Sequence, residues 1–180
     1  MTHPFDGLWL APEDDPRSSA GPAFGEREVL LGYLRHYRTT LELKCSGLDA
    51  EQLARRSVPP STMSLLGLLR HLARVEHHWF QRVLQGKDEP RLYRSPQQPD
   101  LDFDGAIADQ AVVEDAWTSW RREVAAAEKW LSGDDLDRRV SWQGEELEVR
   151  DIVVHMVEEY ARHTGHADLL RECVDGRTGQ

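Results

Sequence analysis

The stretch VVHMVEEYARHTGH, residues 153–166, carries side chains that could bind a metal ion within an otherwise apolar helical pattern. At about 100° per residue, His163 falls in the middle of the apolar face and Glu159 at its edge, one helical turn earlier. A buried carboxylate beside a buried imidazole is costly unless a partner satisfies both, and a divalent cation would do so. His155 lies about 12 Å from His163 along the helix axis, too far for both to bind one ion. Glu159 and His163 are therefore the candidate pair.

A third ligand would come from a second apolar helix that contains RHLARVEHHWF. On its helical wheel Glu76 points toward the apolar face, whereas His71 lies on the flank. The pattern favours Glu76 but permits His71, because a helix in a bundle contacts two neighbours. The favoured interpretation of Glu76 is nevertheless a hydrogen bond to a neighbouring helix or to the N-terminal arm. His77 and His78 are predicted to face solvent.

The alternative to a metal site is a polar seam in a helical bundle. A single histidine on an apolar face is usually satisfied by hydrogen bonds in the core, and the E-x-x-x-H spacing is common by chance in acidic helices. Cys45 and Cys173 are far apart and in no CxxC spacing, so they predict neither a disulfide framework nor a sulfur-rich zinc site. The residue pattern by itself leaves both interpretations open.

Composition narrows the classes of partner. The chain has 180 residues, enough for one domain with a core, and 32 acidic against 22 basic residues give a net charge of −10. This balance argues against nucleic acid or an anionic membrane as a partner. The sequence lacks the basic start and apolar stretch of a signal peptide, and no run approaches the roughly 18 apolar residues of a membrane span. A soluble cytoplasmic domain is predicted.

Helical periodicity and turn residues predict an all-α protein, a four-helix bundle with one long connection. Residues 1–25 are rich in Pro, Gly, Ser and Asp and predict an irregular arm. Phe5, Leu8 and Trp9 could pin this arm to a bundle domain over residues 26–175. The helices are predicted at residues 26–44, 62–85, 109–131 and 150–173, the connection at 86–108, and a short β-hairpin around Gln143–Gly144.

Two segments, STMSLLGLLRHLARVEHHWF and VHMVEEYARHTGHADLLRE, resemble the DinB-like superfamily of metal-binding four-helix bundles. The resemblance is strongest to its mycothiol-dependent branch, which includes mycothiol S-transferases and maleylpyruvate isomerase; EREVLLGYLRHYRTTLELKCSGLD also fits that branch. The resemblance implies a metal, commonly zinc, held by His71, Glu159 and His163. It selects His71 where the helical wheel favoured Glu76. Glu159 points to the mycothiol branch, because other DinB-like proteins have histidine there.

The resemblance also implies an activity. Three protein ligands would leave an open metal position, and a thiol bound there would lose its proton. The chain ends without the isomerase's extra C-terminal domain, which favours a metal-dependent S-transferase that conjugates mycothiol to electrophilic small molecules, a detoxification reaction. His155 and His166, near the rim, are expected to relay protons or steady a ligand. Arg82 is expected either to join a surface ion pair or to hold an anionic substrate.

Two other classes of function stay open. Two histidines and one carboxylate could form a non-haem iron site that activates oxygen. The same residues could instead belong to a non-catalytic metal-binding protein that acts as a sensor or carrier. Bundles of this type often pair through helix faces, so a homodimer is one expected assembly.

Overall fold

A computed structural model describes residues 9–19, 21–133 and 135–179. A short 3₁₀ turn at Pro16–Ser19 precedes the bundle. The helices are α1 Glu26–Cys45, α2 Ala50–Ala54, α3 Leu65–Glu76, α4 Leu101–Asp104, α5 Gln110–Leu131 and α6 Val149–Asp175. A π-helical segment, His77–Val83, continues α3, and strands β1 Arg139–Trp142 and β2 Glu145–Glu148 form an antiparallel pair. The predicted all-α, DinB-like bundle is confirmed, with α1 packed on α6 and α3 packed on α5 and α6.

The second long helix begins and ends differently from the prediction of 62–85. Ser64 caps α3 by accepting a hydrogen bond from the Gly67 amide, so the helix begins at Leu65. From His77 onward the backbone bonds run from residue i to i+5, which reduces the rotation per residue below 100°. The prediction that His77 faces solvent is wrong, because this side chain is buried, and His78 is only partly exposed.

A buried polar network joins the four long helices at the centre of the bundle. Arg38 of α1 donates from Nε and Nη2 to the two carboxylate oxygens of Glu76, both at 2.7 Å. The Tyr160 hydroxyl of α6 donates to Glu76 Oε1 at 2.8 Å, and Trp120 Nε1 of α5 donates to that hydroxyl at 2.9 Å. Burial and then the charge of Glu76 raise the pKa of Tyr160 well above its ordinary value, so its hydroxyl keeps the proton that it donates.

The long connection predicted at 86–108 contains the short helix α4, which the sequence pattern did not predict. Arg70 of α3 donates from Nε to the Asp102 carbonyl and from Nη2 to the Leu101 carbonyl, both at 3.0 Å. Gly67 allows close approach, since a Cβ there would lie 2.8 Å from a ring carbon of Phe103. Helix α4 is therefore held flat against α3.

The predicted hairpin is confirmed and lies over the end of the π-helical segment. Gln143 and Gly144 both have positive φ, 52° and 87°, as a two-residue turn of type I′ requires. The turn places Trp142 against Trp79, with ring centroids 5.0 Å apart. The hairpin thus supplies an aromatic side chain to one end of the bundle.

The described part of the N-terminal region packs on the body through Trp9, which is 5% exposed. The charged groups of Lys44, Arg171 and Arg177 lie 3.7–5.1 Å from the centre of its ring. Phe5 and Leu8, predicted to assist, lie outside the described residues. None of the helices in the described ranges combines the length and apolar character needed to cross a membrane.

Candidate metal centre

Three potential metal ligands converge between α3 and α6. His71, Glu159 and His163 each offer one ligand atom, and these atoms lie within 4.8 Å of one another. Nε2 of His71 is 3.5 Å and Nε2 of His163 is 3.4 Å from the same oxygen, Glu159 Oε2. The turn-by-turn stacking of residues four apart on α6 aligns Glu159 with His163. The structure therefore brings together the three residues that the resemblance selected.

The other ring nitrogen of His71 is held by α4. Nδ1 lies 2.9 Å from Asp102 Oδ2 and 3.0 Å from Arg74 Nη2. Because an ionised carboxylate only accepts, we place the hydrogen on Nδ1, directed to Asp102. Arg74 donates from Nε to the same oxygen at 2.8 Å. Burial alone would raise the pKa of Asp102, but His71 and Arg74 hold it below the ordinary value. Asp102 therefore stays ionised and directs His71 Nε2 toward Glu159.

The donor set fits a divalent cation such as zinc. Nε2 of His71 is buried and makes no hydrogen bond. Tetrahedral zinc with bonds of about 2.0–2.2 Å places its ligand atoms about 3.4 Å apart, which the two imidazole–carboxylate distances match. Contacts from His163 and then His71 hold the pKa of Glu159 far below its ordinary value, so the carboxylate is available as an anionic ligand. Metal binding at this site stays a prediction.

Glu76, which the helical wheel favoured as third ligand, is engaged elsewhere. It is fully buried, and its carboxylate accepts from Arg38 and Tyr160 in the central network. The interpretation of Glu76 as a hydrogen-bonding partner of a neighbouring helix is confirmed. A helical wheel shows that a carboxylate faces inward, but it cannot show whether an arginine meets it there.

The two rim histidines lie on opposite sides of the ligand cluster. His166 Nδ1 is 3.3 Å from His163 Nδ1, and burial, then His163 and Arg162, lower the pKa of His166. A neutral His166 can accept a hydrogen bond from His163 Nδ1–H, which leaves His163 Nε2 for a ligand role. His155 Nε2 is 3.8 Å from Glu159 Oε1, and its half-exposed ring lies 5.0 Å from that of Trp79. Their predicted roles stay predictions.

Arg82 lies in the π-helical segment and lines a pocket beside α3. Its only carboxylate within 4.0 Å among the described residues is that of Asp88, at 3.8 Å. Arg74, His77 and His78 contribute to the same pocket. Arg82 thus makes a long surface ion pair. Its role in holding an anionic substrate stays a prediction.

Asp102 and Arg74 were missed by the sequence analysis. The signal that could have found Asp102 is LDFD, an alternation of apolar and acidic residues within an otherwise polar connection. Arg74 lies three residues after His71 on the same helix. Side chains at this spacing are neighbours, so the contact between Arg74 and the surroundings of His71 was predictable.

The fold and this cluster define a class of protein, a DinB-like four-helix bundle with two imidazoles and a carboxylate converging between two helices. The chain belongs to the mycothiol S-transferase family, whose model, described as mycothiol-S-transferase, matches residues 29–176. No curated protein matches the chain. Among solved structures, a conserved protein from Enterococcus faecalis is similar, with a TM-score of 0.59 and 15% identity over 86% of this chain and 99% of that one. That likeness supports the fold alone.

Proposed function

We propose that this protein is a metal-dependent S-transferase that conjugates mycothiol to electrophilic small molecules, with detoxification as its role. His71, Glu159 and His163 would hold the metal, for which zinc is the best candidate. One observation carries the proposal: three ligand atoms within 4.8 Å of one another in a chain of the mycothiol S-transferase family.

The metal would supply one piece of chemistry, a lowered pKa of a bound thiol, which makes the sulfur a nucleophile at neutral pH. The remaining tasks fall to side chains of this chain. Asp102 orients His71 through Nδ1, and His166 orients His163 in the same way. Neither ligand imidazole then needs to reorganise when substrate arrives.

We assign the transfer of the thiol proton to His155. It lies next to Glu159 and is 39% exposed, so its ring joins the ligand cluster to solvent. The proton leaves the thiol sulfur for a ring nitrogen of His155 and passes to water. The sulfur forms a bond to the electrophilic carbon, and the leaving group departs with the bonding electron pair. Trp79 packs beside His155 and Trp142 packs on Trp79, which gives that side of His155 an apolar surface.

Elemental analysis of purified protein tests the metal site. We expect near-stoichiometric zinc in the native protein and its loss in Glu159→Ala and His163→Ala. Glu158→Ala and His36→Ala are matched controls, since both side chains are exposed and neither is a candidate ligand. Native protein that neither contains nor takes up a metal would overturn the proposal.

A thiol-consumption assay tests the reaction itself. Zinc-loaded protein with mycothiol and 1-chloro-2,4-dinitrobenzene should release chloride and form the thioether, and the two ligand variants should not. Iron in place of zinc, together with oxygen uptake, would instead favour the oxygenase class. Bound zinc with no consumption of thiol toward a broad set of electrophiles would favour the non-catalytic class.

A further inference from the structure

A pocket beside α3 concentrates positive charge in an acidic protein. Its lining residues are four arginines, two histidines and one leucine: Arg74, Arg82, Arg91, Arg94, His77, His78 and Leu92. No acidic residue lines it among the described residues, although the chain carries a net charge of −10. Such a concentration of guanidinium groups favours an anion.

The positive charge of the pocket is only partly compensated, although Arg74 pairs with Asp102 at 2.8 Å and His77 lies 3.4 Å from Glu123. Arg82 faces Asp88 at 3.8 Å, but that carboxylate is fully exposed and so compensates little. In the described ranges no carboxylate lies within 4.0 Å of Arg91 or Arg94. Burial, followed by the charges of Arg91, Arg74 and Arg82, lowers the pKa of His78 to about 4, which reflects the same positive potential.

His77 adds a buried polar atom that lacks a partner. Its side chain is 6% exposed, and its Nδ1 lies 3.4 Å from Glu123 Oε2, which also accepts from Gln81 at 3.3 Å. Nε2 makes no hydrogen bond, although buried polar atoms in proteins almost always do. His77 thus brings to the wall of the pocket a buried ring nitrogen that no group among the described residues satisfies.

The pocket adjoins the candidate metal centre through two chains of side-chain contacts. Arg74 lines the pocket and also donates to Asp102, which holds His71. On the other side, His78 lies 5.2 Å from Trp79 by ring centroids, and Trp79 lies 5.0 Å from His155. One small molecule could therefore have its anionic end in the pocket and its reactive end near the ligands.

We propose that this pocket binds the carboxylate or phosphate group of the small molecule that reacts at the metal centre. That the bound molecule reacts at the metal centre rests on the proposed function. Binding of the anion in the pocket does not depend on that function. Arg91 and Arg94, free of ion pairs among the described residues, would make bidentate contacts with the oxyanion, and Arg82 would add a third.

Binding is tested with zinc-loaded protein and two probes of equal shape, succinate and its neutral diamide, by calorimetric titration. We expect succinate alone to bind. The variant Arg91→Ala/Arg94→Ala should bind it at least about tenfold more weakly, since hydrogen bonds between charged groups are among the stronger ones. Arg121 and Arg139 are exposed, as Arg91 and Arg94 are, but lie outside the pocket, so Arg121→Ala/Arg139→Ala removes the same charge and should bind as the native protein does.

Two results would overturn the anion pocket. Equal weakening in both double variants would mean that succinate responds only to net charge. Loss of succinate binding in the metal-free His163→Ala variant would mean that the carboxylate binds the metal. Because neither measurement involves turnover, failure of the transferase reaction leaves this test intact.

Turnover distinguishes which substrate carries the anion. One arm compares 4-chloro-3-nitrobenzoate with its amide, where the thiolate sulfur bonds to the ring carbon, chloride leaves with the electron pair and the thiol proton goes to solvent. The other arm compares mercaptosuccinate with 2-mercaptoethanol as the thiol. A raised KM for the charged member in one arm, seen only in Arg91→Ala/Arg94→Ala, identifies that substrate as the ligand. An unchanged KM in both arms would contradict the proposal.

Discussion

His71 illustrates how strongly the second ring nitrogen of a candidate metal ligand can affect the first. Its Nδ1 is held by Asp102 and its Nε2 is buried without a hydrogen bond. Burial by itself would lower the pKa of His71, but the contacts with Asp102 and Glu159 raise it. A carboxylate behind a histidine fixes the tautomer and the ring orientation and makes the imidazole more basic as a ligand.

Replacing Asp102 tests this arrangement. Asp102→Asn keeps the shape but removes the negative charge that accepts from His71 and Arg74, and we expect zinc affinity to fall about 10–100-fold. Competition with a chromophoric chelator measures the affinity. Asp104→Asn, two residues along on the exposed face of α4, is the control and should change nothing. Unaltered zinc affinity in Asp102→Asn would show that Asp102 serves only to anchor α4.

At the scale of elements, the position of Asp102 depends on how α4 docks. Arg70 binds two carbonyls of α4, and Gly105 follows the helix so closely that a Cβ would lie 2.7 Å from the Leu101 carbonyl and 2.8 Å from Arg70 Nη2. These two atoms form one of the hydrogen bonds by which Arg70 holds α4. A side chain at residue 105 must therefore displace either the helix or the arginine.

Gly105→Ala is expected to destabilise the fold by about 1–3 kcal/mol, the usual cost of overpacking, and to weaken zinc binding through the displaced Asp102. Urea unfolding measures the first effect and chelator competition the second. Gly133→Ala is the control, because a Cβ there meets nothing within 4 Å. If Gly105→Ala lowered stability but kept full zinc affinity, the docking of α4 would not be what positions Asp102.

Some helices and strands could be predicted from a local sequence pattern, and others could not. Periodicity over twenty or more residues predicts α1, α5 and α6 to within two residues at each end, and Gln143–Gly144 predicts the hairpin turn. Helix α4 has four residues, too few to show a period, and forms because Arg70 and two glycines let it dock. The shift to π-helical bonding at His77 likewise has no local pattern.

Part of the candidate site could likewise be predicted from local sequence, and part of it could not. Glu159 and His163 share one helix, so their spacing alone brings them together. The approach of His71 to them, and of Asp102 across 31 residues to His71, depends on packing between helices that no helical wheel contains. Glu76 shows the converse, since its inward direction was predictable but its partner Arg38, 38 residues away, was not.

At the scale of the whole molecule, the network of Arg38, Glu76, Tyr160 and Trp120 ties α1, α3, α5 and α6 together. Arg38 and Glu76 are 4% and 0% exposed, so each charge depends on the other for compensation. Burial by itself would lower the pKa of Arg38, but Glu76 raises it, so Arg38 keeps its charge. A buried pair of this kind makes little net contribution to stability, but breaking it is costly.

A double-mutant cycle separates these two effects. Glu76→Leu leaves Arg38 buried with only the exposed Glu128 at 3.6 Å, and we expect a loss of about 3–5 kcal/mol in the free energy of unfolding. Arg38→Met/Glu76→Leu removes both charges and should recover most of that loss, as measured by urea unfolding. Zinc content should be unchanged in both variants, because Glu76 contributes nothing to the ligand cluster. If the double variant were as unstable as Glu76→Leu, Glu76 would stabilise the fold through Tyr160 rather than through Arg38. If folded Glu76→Leu lost zinc, Glu76 would have to be considered a metal ligand again.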